Sequence, residues 1–319
     1  MRGQAALRPQ LRARQAPVLS ANAGRNLLAS DARARSWEPA RNELWRLIDP
    51  LIGRSARVAV IGAGNGHDLP LTRLTDRASH VTLIDIDRRA PRHARRRLSP
   101  VLRRKVSIVG HDVTAGAADA LIRATVRGQV PDPVLVPEAP LPGAPYDLVI
   151  GDLLYSQLLY PAMIDLGVSD PRRRAVLDRY GPVLVRGVVA RLHASAPYGR
   201  VAHLHDPLGW WPGHPQPVAQ PEILDTAQRD VGQAIRLIAR GCGPRDADPR
   251  AALHHFAIPV RATALWRWPF AEDTNYLVCA TVAGAPLLQS AHELPRAARS
   301  VAKRDGKMRA GGGDLGETE

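Results

Sequence analysis

The segment that most restricts the fold is Arg57-Val58-Ala59-Val60-Ile61-Gly62-Ala63-Gly64-Asn65-Gly66. Val58, Val60 and Ile61 give a short apolar run that predicts a buried strand over Arg57–Ile61. The run enters three alternate glycines with no spacer. Glycine reaches backbone conformations closed to other residues and leaves room for a ligand beside the main chain. A strand that turns sharply at such a loop and continues into a helix opens a parallel α/β sheet. Leu69, Leu71 and Leu74 predict that helix over about His67–Thr75. The spacing is Gly-x-Gly-x-Gly. A nicotinamide-dinucleotide loop has its third glycine one residue later, where His67 stands, so the spacing argues against a standard dinucleotide site.

The pattern repeats downstream. A helix over Trp37–Ile52 precedes the first strand. Further strands are predicted at His80–Ile86, Val106–Gly110, Tyr146–Ile150 and Arg200–His205. Helices are predicted over Pro91–Leu98, Ala115–Val126, Ser156–Ala196 and Ile223–Ala239, the third broken near Gly167–Asp170 and again at Gly181-Pro182. Six prolines make Val130–Pro145 an extended loop. Arg261–Trp268 and Asn275–Val282 form a closing strand pair. The expected fold class is α/β, a three-layer, Rossmann-like, seven-stranded and mostly parallel sheet with an antiparallel terminal strand. The expected division is a flexible basic arm over 1–36, one domain over 37–283 and a flexible tail over 284–319.

Composition narrows the class further. The 319 residues are 45% hydrophobic and 23% charged, which excludes wholesale disorder and a collagen-like chain. Cys242 and Cys279 are the only cysteines, too few for a disulfide framework or a cysteine-rich zinc module. No apolar stretch reaches 18 residues, so no membrane span is expected, and the expected location is cytoplasmic. The net charge is +14, and all but three of the 44 basic residues are arginine. Residues 1–35 and the run Arg88–Lys105, with nine basic residues and no acid, hold the excess. That run can track phosphates, which makes nucleic acid an alternative partner. It contains no aromatic residue, so base stacking there is not indicated.

In a parallel sheet the ligand crevice lies at the carboxyl ends of the strands. Asp85 ends the second strand, Asp112 the third and Asp152 the fourth. Any one of them can cap the helix that follows. Three acids at three strand ends, after a glycine loop, favour a ligand site. With Val81-Thr82-Leu83-Ile84-Asp85-Ile86-Asp87, Gly110-His111-Asp112 and Tyr146-Asp147-Leu148-Val149-Ile150-Gly151-Asp152, the glycine segment resembles the class I S-adenosylmethionine-dependent methyltransferases. Val60 stands where many members of that family have an acid. The resemblance spans about residues 37–283 and implies S-adenosyl-L-methionine as cofactor. It assigns Gly62, Ala63, Gly64, Asn65, Gly66, Asp85, Ile86, Asp112, Val113 and Asp152 to the cofactor. Asp85 would hold the ribose hydroxyls and Asp112 the adenine amine.

The same resemblance implies methyl transfer, with Asp152 and Tyr155 as the catalytic pair. Tyr155 can equally be a packing residue of a helix that also carries Leu158 and Leu159. Tyr155, Trp210 and Trp211 are the candidate acceptor pocket, since paired tryptophans in the loop after the fifth strand can stack on a flat molecule. A small-molecule acceptor is expected. The alternatives are an RNA or DNA methyltransferase, an aminopropyltransferase like the spermidine synthases, and a non-catalytic cofactor-binding protein. His203, His205, Asp206 and His214 show no supporting spacing for a metal site, and none is expected.

Overall fold

Seven strands form one sheet in the computed structural model, which describes residues 16–27, 35–129, 135–243 and 247–284. They are β1 (Arg57–Ile61), β2 (His80–Asp85), β3 (Val106–Gly110), β4 (Leu148–Gly151), β5 (Arg200–Trp210), β6 (Val260–Ala271) and β7 (Thr274–Gly284). Their order across the sheet is β3-β2-β1-β4-β5-β7-β6. The first five are parallel, and β7 runs antiparallel to both β5 and β6. The antiparallel strand thus lies one place in from the edge, which β6 forms. From β1 the chain winds outward through β2 to β3, then returns to lay β4 on the other side of β1. That reversal opens a crevice above the ends of β1 and β4.

Strand alternation makes both faces apolar. Ala59, Ile61, Ile84, Val149 and Val201 enter one buried cluster, and Val58, Val60, Leu83, Leu148, Ile150 and Ala202 enter the other. Neighbouring residues of a strand point to opposite faces, so a sheet covered on both sides needs apolar residues at nearly every position. The first face is covered by α1 (Pro17–Leu27), α6 (Ala117–Val126), α7 (Tyr160–Asp165), α8 (Asp170–Ser195) and α11 (Pro249–His255). The second is covered by α2 (Glu38–Ile48), α3 (Leu71–Arg77) and α4 (Ala90–Arg96). The three-layer, Rossmann-like α/β arrangement is the one expected from the sequence. A third, smaller cluster lies under α9 (Gln220–Arg229) and α10 (Val231–Ile238).

Several elements differ from expectation for local reasons. The helix after the glycine loop starts at Leu71, because Pro70 stands at its threshold. A short helix, α5 (Pro100–Arg104), follows Ser99, whose hydroxyl accepts from the Leu102 N–H. The break expected at Gly181-Pro182 does not occur, and α8 runs through it. Pro182 is exposed there, so water can reach the carbonyl its missing N–H leaves bare. Buried Leu177, Tyr180, Leu184 and Val188 hold both halves on the sheet. The helix expected over Ile223–Ala239 is two, because the Asp230 side chain accepts from Gln233 N–H and caps a new start. The unforeseen α11 is capped in the same way by Asp248.

Helix α1 lies within the arm expected over 1–36, and it packs on the fold. Val18 and Ala21 are buried, the Val18 N–H donates to Asp119 Oδ1, and Arg25 pairs with Asp165 at 2.9 Å. Residues 1–15 and 28–34 of the arm, and the tail beyond Gly284, lie outside the described residues. The basic run also has internal work. Arg97 donates to the Asn65 and Gly66 carbonyls, and Arg95 and Arg103 bind main-chain carbonyls of their own segment. Lys105 caps the end of α3 through the Thr75, Asp76 and Ala78 carbonyls. Among the described residues no helix is long and apolar enough to cross a membrane.

Candidate cofactor and acceptor site

A cavity of about 900 Å³ opens above the carboxyl ends of β1, β2, β4 and β5. Its volume lies at the upper end of the range for small-molecule sites. Gly62, Gly64 and Gly66 have φ of +77°, +46° and +60°, conformations that L side chains rarely adopt. A Cβ on Gly62 would also lie 3.0 Å from the Asp152 carbonyl oxygen, and one on Gly66 would lie 3.0 Å from Ala94 Cβ. The loop is therefore a fixed main-chain cradle. Gly62 and Gly64 line the cavity with Asn65. Ala63 is buried behind them.

Asp85 is fastened from the loop itself. Its Oδ2 accepts from Gly64 N–H at 2.8 Å, and its Oδ1 accepts from Asp87 N–H at 2.7 Å. A carboxylate has about four acceptor positions, so one remains on each oxygen for a pair of vicinal hydroxyls. Burial pushes Asp85 up to about 6. Asp112 is more fully used. It accepts from the N–H and hydroxyl of Thr114 and from Gly116 N–H, which makes it the organiser of the turn into α6. Asp112, Val113 and Ile86 all line the cavity.

Asp152 follows β4, and its N–H donates to the Ile61 carbonyl at 2.9 Å. Its side chain is 3% exposed, and neither carboxylate oxygen has a hydrogen-bond partner. Burial raises its pKa well above the ordinary value, and the nearby Asp68 and Asp85 raise it further. The shift favours the neutral acid over the carboxylate. Leu153 follows it with φ +49°, a strained conformation for a side chain of that size.

The remaining expected residues separate. Trp211 lines the cavity and stacks on His214 with centroids 3.9 Å apart. Trp210 does not line it. The strand β5 continues to Trp210, which packs against the cluster under α9 and α10. Tyr155 is buried in the core beside the cavity, and its hydroxyl hydrogen-bonds His203 Nδ1. Burial raises the Tyr155 phenol and lowers His203, so both are neutral. His203 also meets His193 at 3.1 Å, while His205 stands 3.6 Å from Asp248. Among the described residues no cluster of three or more His, Cys, Asp or Glu is placed to hold a metal ion.

The structure adds residues that had no assigned role. Asp68, two positions past the last glycine, faces the cavity and is raised by burial to about 6 despite Arg41 and Arg97 nearby. An acid within His67-Asp68-Leu69-Pro70-Leu71 was the available signal. Asn22 and Asn26 reach the cavity from α1. The Asn26 side chain donates to Asp87, and Asn65 donates to the Asn26 carbonyl. Asp206 lines the cavity from a bulge in β5, between His205 and Leu208, where the pairing with β7 slips. Trp37, Trp268, Phe270 and Tyr276 complete an aromatic wall. Trp37 stacks on Phe270 at 5.7 Å and meets Trp268 edge-on at 4.9 Å. The alternation Trp266-x-Trp268-x-Phe270 puts three rings on one face of β6, of which Trp268 and Phe270 line the cavity.

No family model matches the chain, and no curated protein sequence matches it. Solved structures with a similar arrangement include magnesium protoporphyrin IX methyltransferase of Synechocystis with bound SAH, at 14% identity over 79% of this chain and 84% of that one, TM-score 0.41. A SAM-dependent methyltransferase from Aquifex aeolicus is 12% identical over 79% of this chain and 96% of that one, TM-score 0.39. A precorrin 8w decarboxylase from Methanobacterium thermoautotrophicum is 13% identical over 76% and 90%, TM-score 0.32. Likeness at this distance decides neither the reaction nor the acceptor.

Proposed function

We propose that this chain is an S-adenosylmethionine-dependent methyltransferase acting on a small-molecule acceptor. The observation that carries the reading is the meeting, in one cavity, of the Gly62–Gly66 cradle, the two open acceptor positions of Asp85 and the buried, unpartnered carboxyl of Asp152. A ribose needs paired acceptors, and a sulfonium or ammonium group needs a negative neighbour in a dry site. The residues fit such a cofactor. Asp85 would take the ribose hydroxyls. Ile86 and Val113 supply apolar surface for the adenine. Asn65, Asn26 and Asp68 surround the opposite end of the loop.

The bound cofactor would supply an electrophilic methyl group on sulfur. The chain supplies alignment and dryness. Asp152, held rigidly by its N–H bond to β1, orients the acceptor and can take its proton once a cationic neighbour favours ionisation. Tyr155 acts behind the site, through packing and its bond to His203. The basic run supports a small acceptor over nucleic acid, since four of its nine cations bind the protein's own carbonyls. Calorimetric titration with S-adenosylmethionine and S-adenosylhomocysteine tests the reading. Micromolar binding is expected in the parent and is lost in Asp85→Ala. A parent chain that binds neither compound would falsify it.

A further inference from the structure

Resting on the methyltransferase reading, we infer that the acceptor carries a protonated amine, held by Asp206 against the aromatic wall. Asp206 lies in the bulge of β5 and lines the cavity. Its Oδ1 is buried with no partner, and burial raises the carboxyl to about 6. Tyr276 lies close enough to feel the Asp206 charge. Around Tyr276 stand Phe270 at 5.3 Å, Trp268 at 5.8 Å and Trp211 at 6.3 Å between ring centroids. A carboxylate beside several aromatic faces is the chemistry that holds an organic cation.

Two further observations exclude a bland hydrophobic pocket. Trp268 is 7% exposed, and its indole N–H is buried without a partner, so the wall calls for a hydrogen-bond acceptor on the ligand, an atom other than its amine. Asp152, further in, is likewise buried and unpartnered. The cavity's cations do not answer these acids. Arg25 is taken by Asp165 and by the Ala21 and Pro161 carbonyls, and Arg174 is exposed at the rim. An anionic acceptor would meet the Asp206 carboxylate unshielded, and a neutral hydroxyl would bond its bare oxygen without answering its charge. A protonated amine satisfies it. The amine is the handle by which the acceptor is held, whichever of its atoms receives the methyl group.

The probes are 2-phenylethylamine, 3-phenylpropanoate and 2-phenylethanol, which share a ring and chain and differ in the terminal group. Each is titrated calorimetrically into the full chain, with and without saturating S-adenosylhomocysteine. The amine is expected to bind at least ten-fold tighter than the other two. Asp206→Asn should erase that preference while S-adenosylhomocysteine affinity stays within two-fold, which also reports folding. Trp211→Leu should weaken the amine and the alcohol. Equal or tighter binding of the propanoate or alcohol, a preference that survives Asp206→Asn, or no binding of any probe overturns the amine assignment. Failure of S-adenosylhomocysteine to bind the parent overturns the methyltransferase reading instead, and the amine preference is still read from the cofactor-free titrations.

Discussion

At the β2 and β3 side of the cavity, Asp85 and Asp112 together accept five hydrogen bonds from nearby N–H and hydroxyl groups. At the β4 and β5 side, Asp152 accepts none, and Asp206 leaves Oδ1 bare. Both sides are acidic and largely buried, yet only the first is complete without a ligand. A site whose acids are already tied down is preorganised, so a ligand spends little free energy ordering it. A site with buried, unpaired acids is destabilising until a partner arrives. The contrast fits a fixed cofactor end and an acceptor end that depends on its ligand.

The largest expected effect breaks the preorganised side. Asp85→Ala removes the two open acceptor positions proposed for the ribose and frees the Gly64 and Asp87 N–H groups. Charged hydrogen bonds contribute about 1.5–3 kcal/mol each, so cofactor affinity should fall by roughly 100-fold or more. Calorimetry measures it, and a loss under ten-fold would mean that Asp85 only shapes the loop.

Next comes the cradle. Gly62→Ala forces a side chain into φ +77° and towards the Asp152 carbonyl. Gly116→Ala forces the same kind of backbone, φ +89°, into open space. The first should cost about 2–4 kcal/mol of stability and the second about 1 kcal/mol. Denaturant melts of the two variants separate contact from conformation, and equal losses would show that the close approach is relieved without cost.

The local side of the site was also the readable one. The Gly62–Gly66 loop, Asp85 and Asp112 lie in contiguous strand-loop segments, and their roles depend on bonds spanning a few residues or one strand pair. The first three strands start where the sequence places them. Asp206 was visible as a residue but not as a wall of the cavity, because the cavity it lines is assembled from segments far apart in the sequence. The aromatic wall needs Trp37 beside Phe270, 233 residues away, where the Trp37 indole donates to the Phe270 carbonyl. Trp210 was misplaced for the same reason, since the length of β5 is set by its partner strand. The run through Gly181-Pro182 shows packing overriding local propensity. Asn22 and Asn26 lie in a segment whose composition suggested a loose arm, and tertiary contacts with Asp119, Asp165 and Asp87 order it.

The unpaired side makes a prediction about pH. Burial raises Asp85 and Asp206 to about 6 and Asp152 well above its ordinary value. A carboxyl with a raised folded-state pKa favours the folded chain while it is protonated. That advantage is lost as pH rises from the ordinary carboxyl range, near 4, through the folded-state value. These carboxyls should therefore lower the melting temperature of the ligand-free chain from pH 5 to pH 8. His193, His203 and His205, whose pKa values burial lowers, act in the opposite sense up to the ordinary imidazole value near 6.5, so the slope that Asp152 imposes is read above about pH 7. Asp152→Asn keeps the shape without the charge, so it should raise the melting temperature at pH 8 by a few degrees and flatten the slope. Saturating S-adenosylmethionine should flatten it in the parent but not in the variant. A variant that is less stable than the parent at pH 8 would mean that Asp152 has a partner in solution.

The smallest effect sharpens the boundary between the cofactor end and the surface beside it. Arg96 and Arg97 are neighbours in the basic run, but only the Arg97 side chain bonds the glycine loop, through the Asn65 and Gly66 carbonyls at 2.6 and 3.1 Å. Exposed cations generally contribute little to stability, whereas a guanidinium on two loop carbonyls limits how far the cradle can open. Arg97→Gln should weaken S-adenosylhomocysteine binding by roughly three- to ten-fold, the equivalent of about 1 kcal/mol. Arg96→Gln should leave it within two-fold. Repeating both titrations at high salt separates a bond from a field, because a diffuse positive field is screened in parent and variants alike while a bonded guanidinium is screened much less. If the two variants lose affinity equally, and the loss disappears in salt, the run acts as a charged surface and the loop is held by its glycines alone.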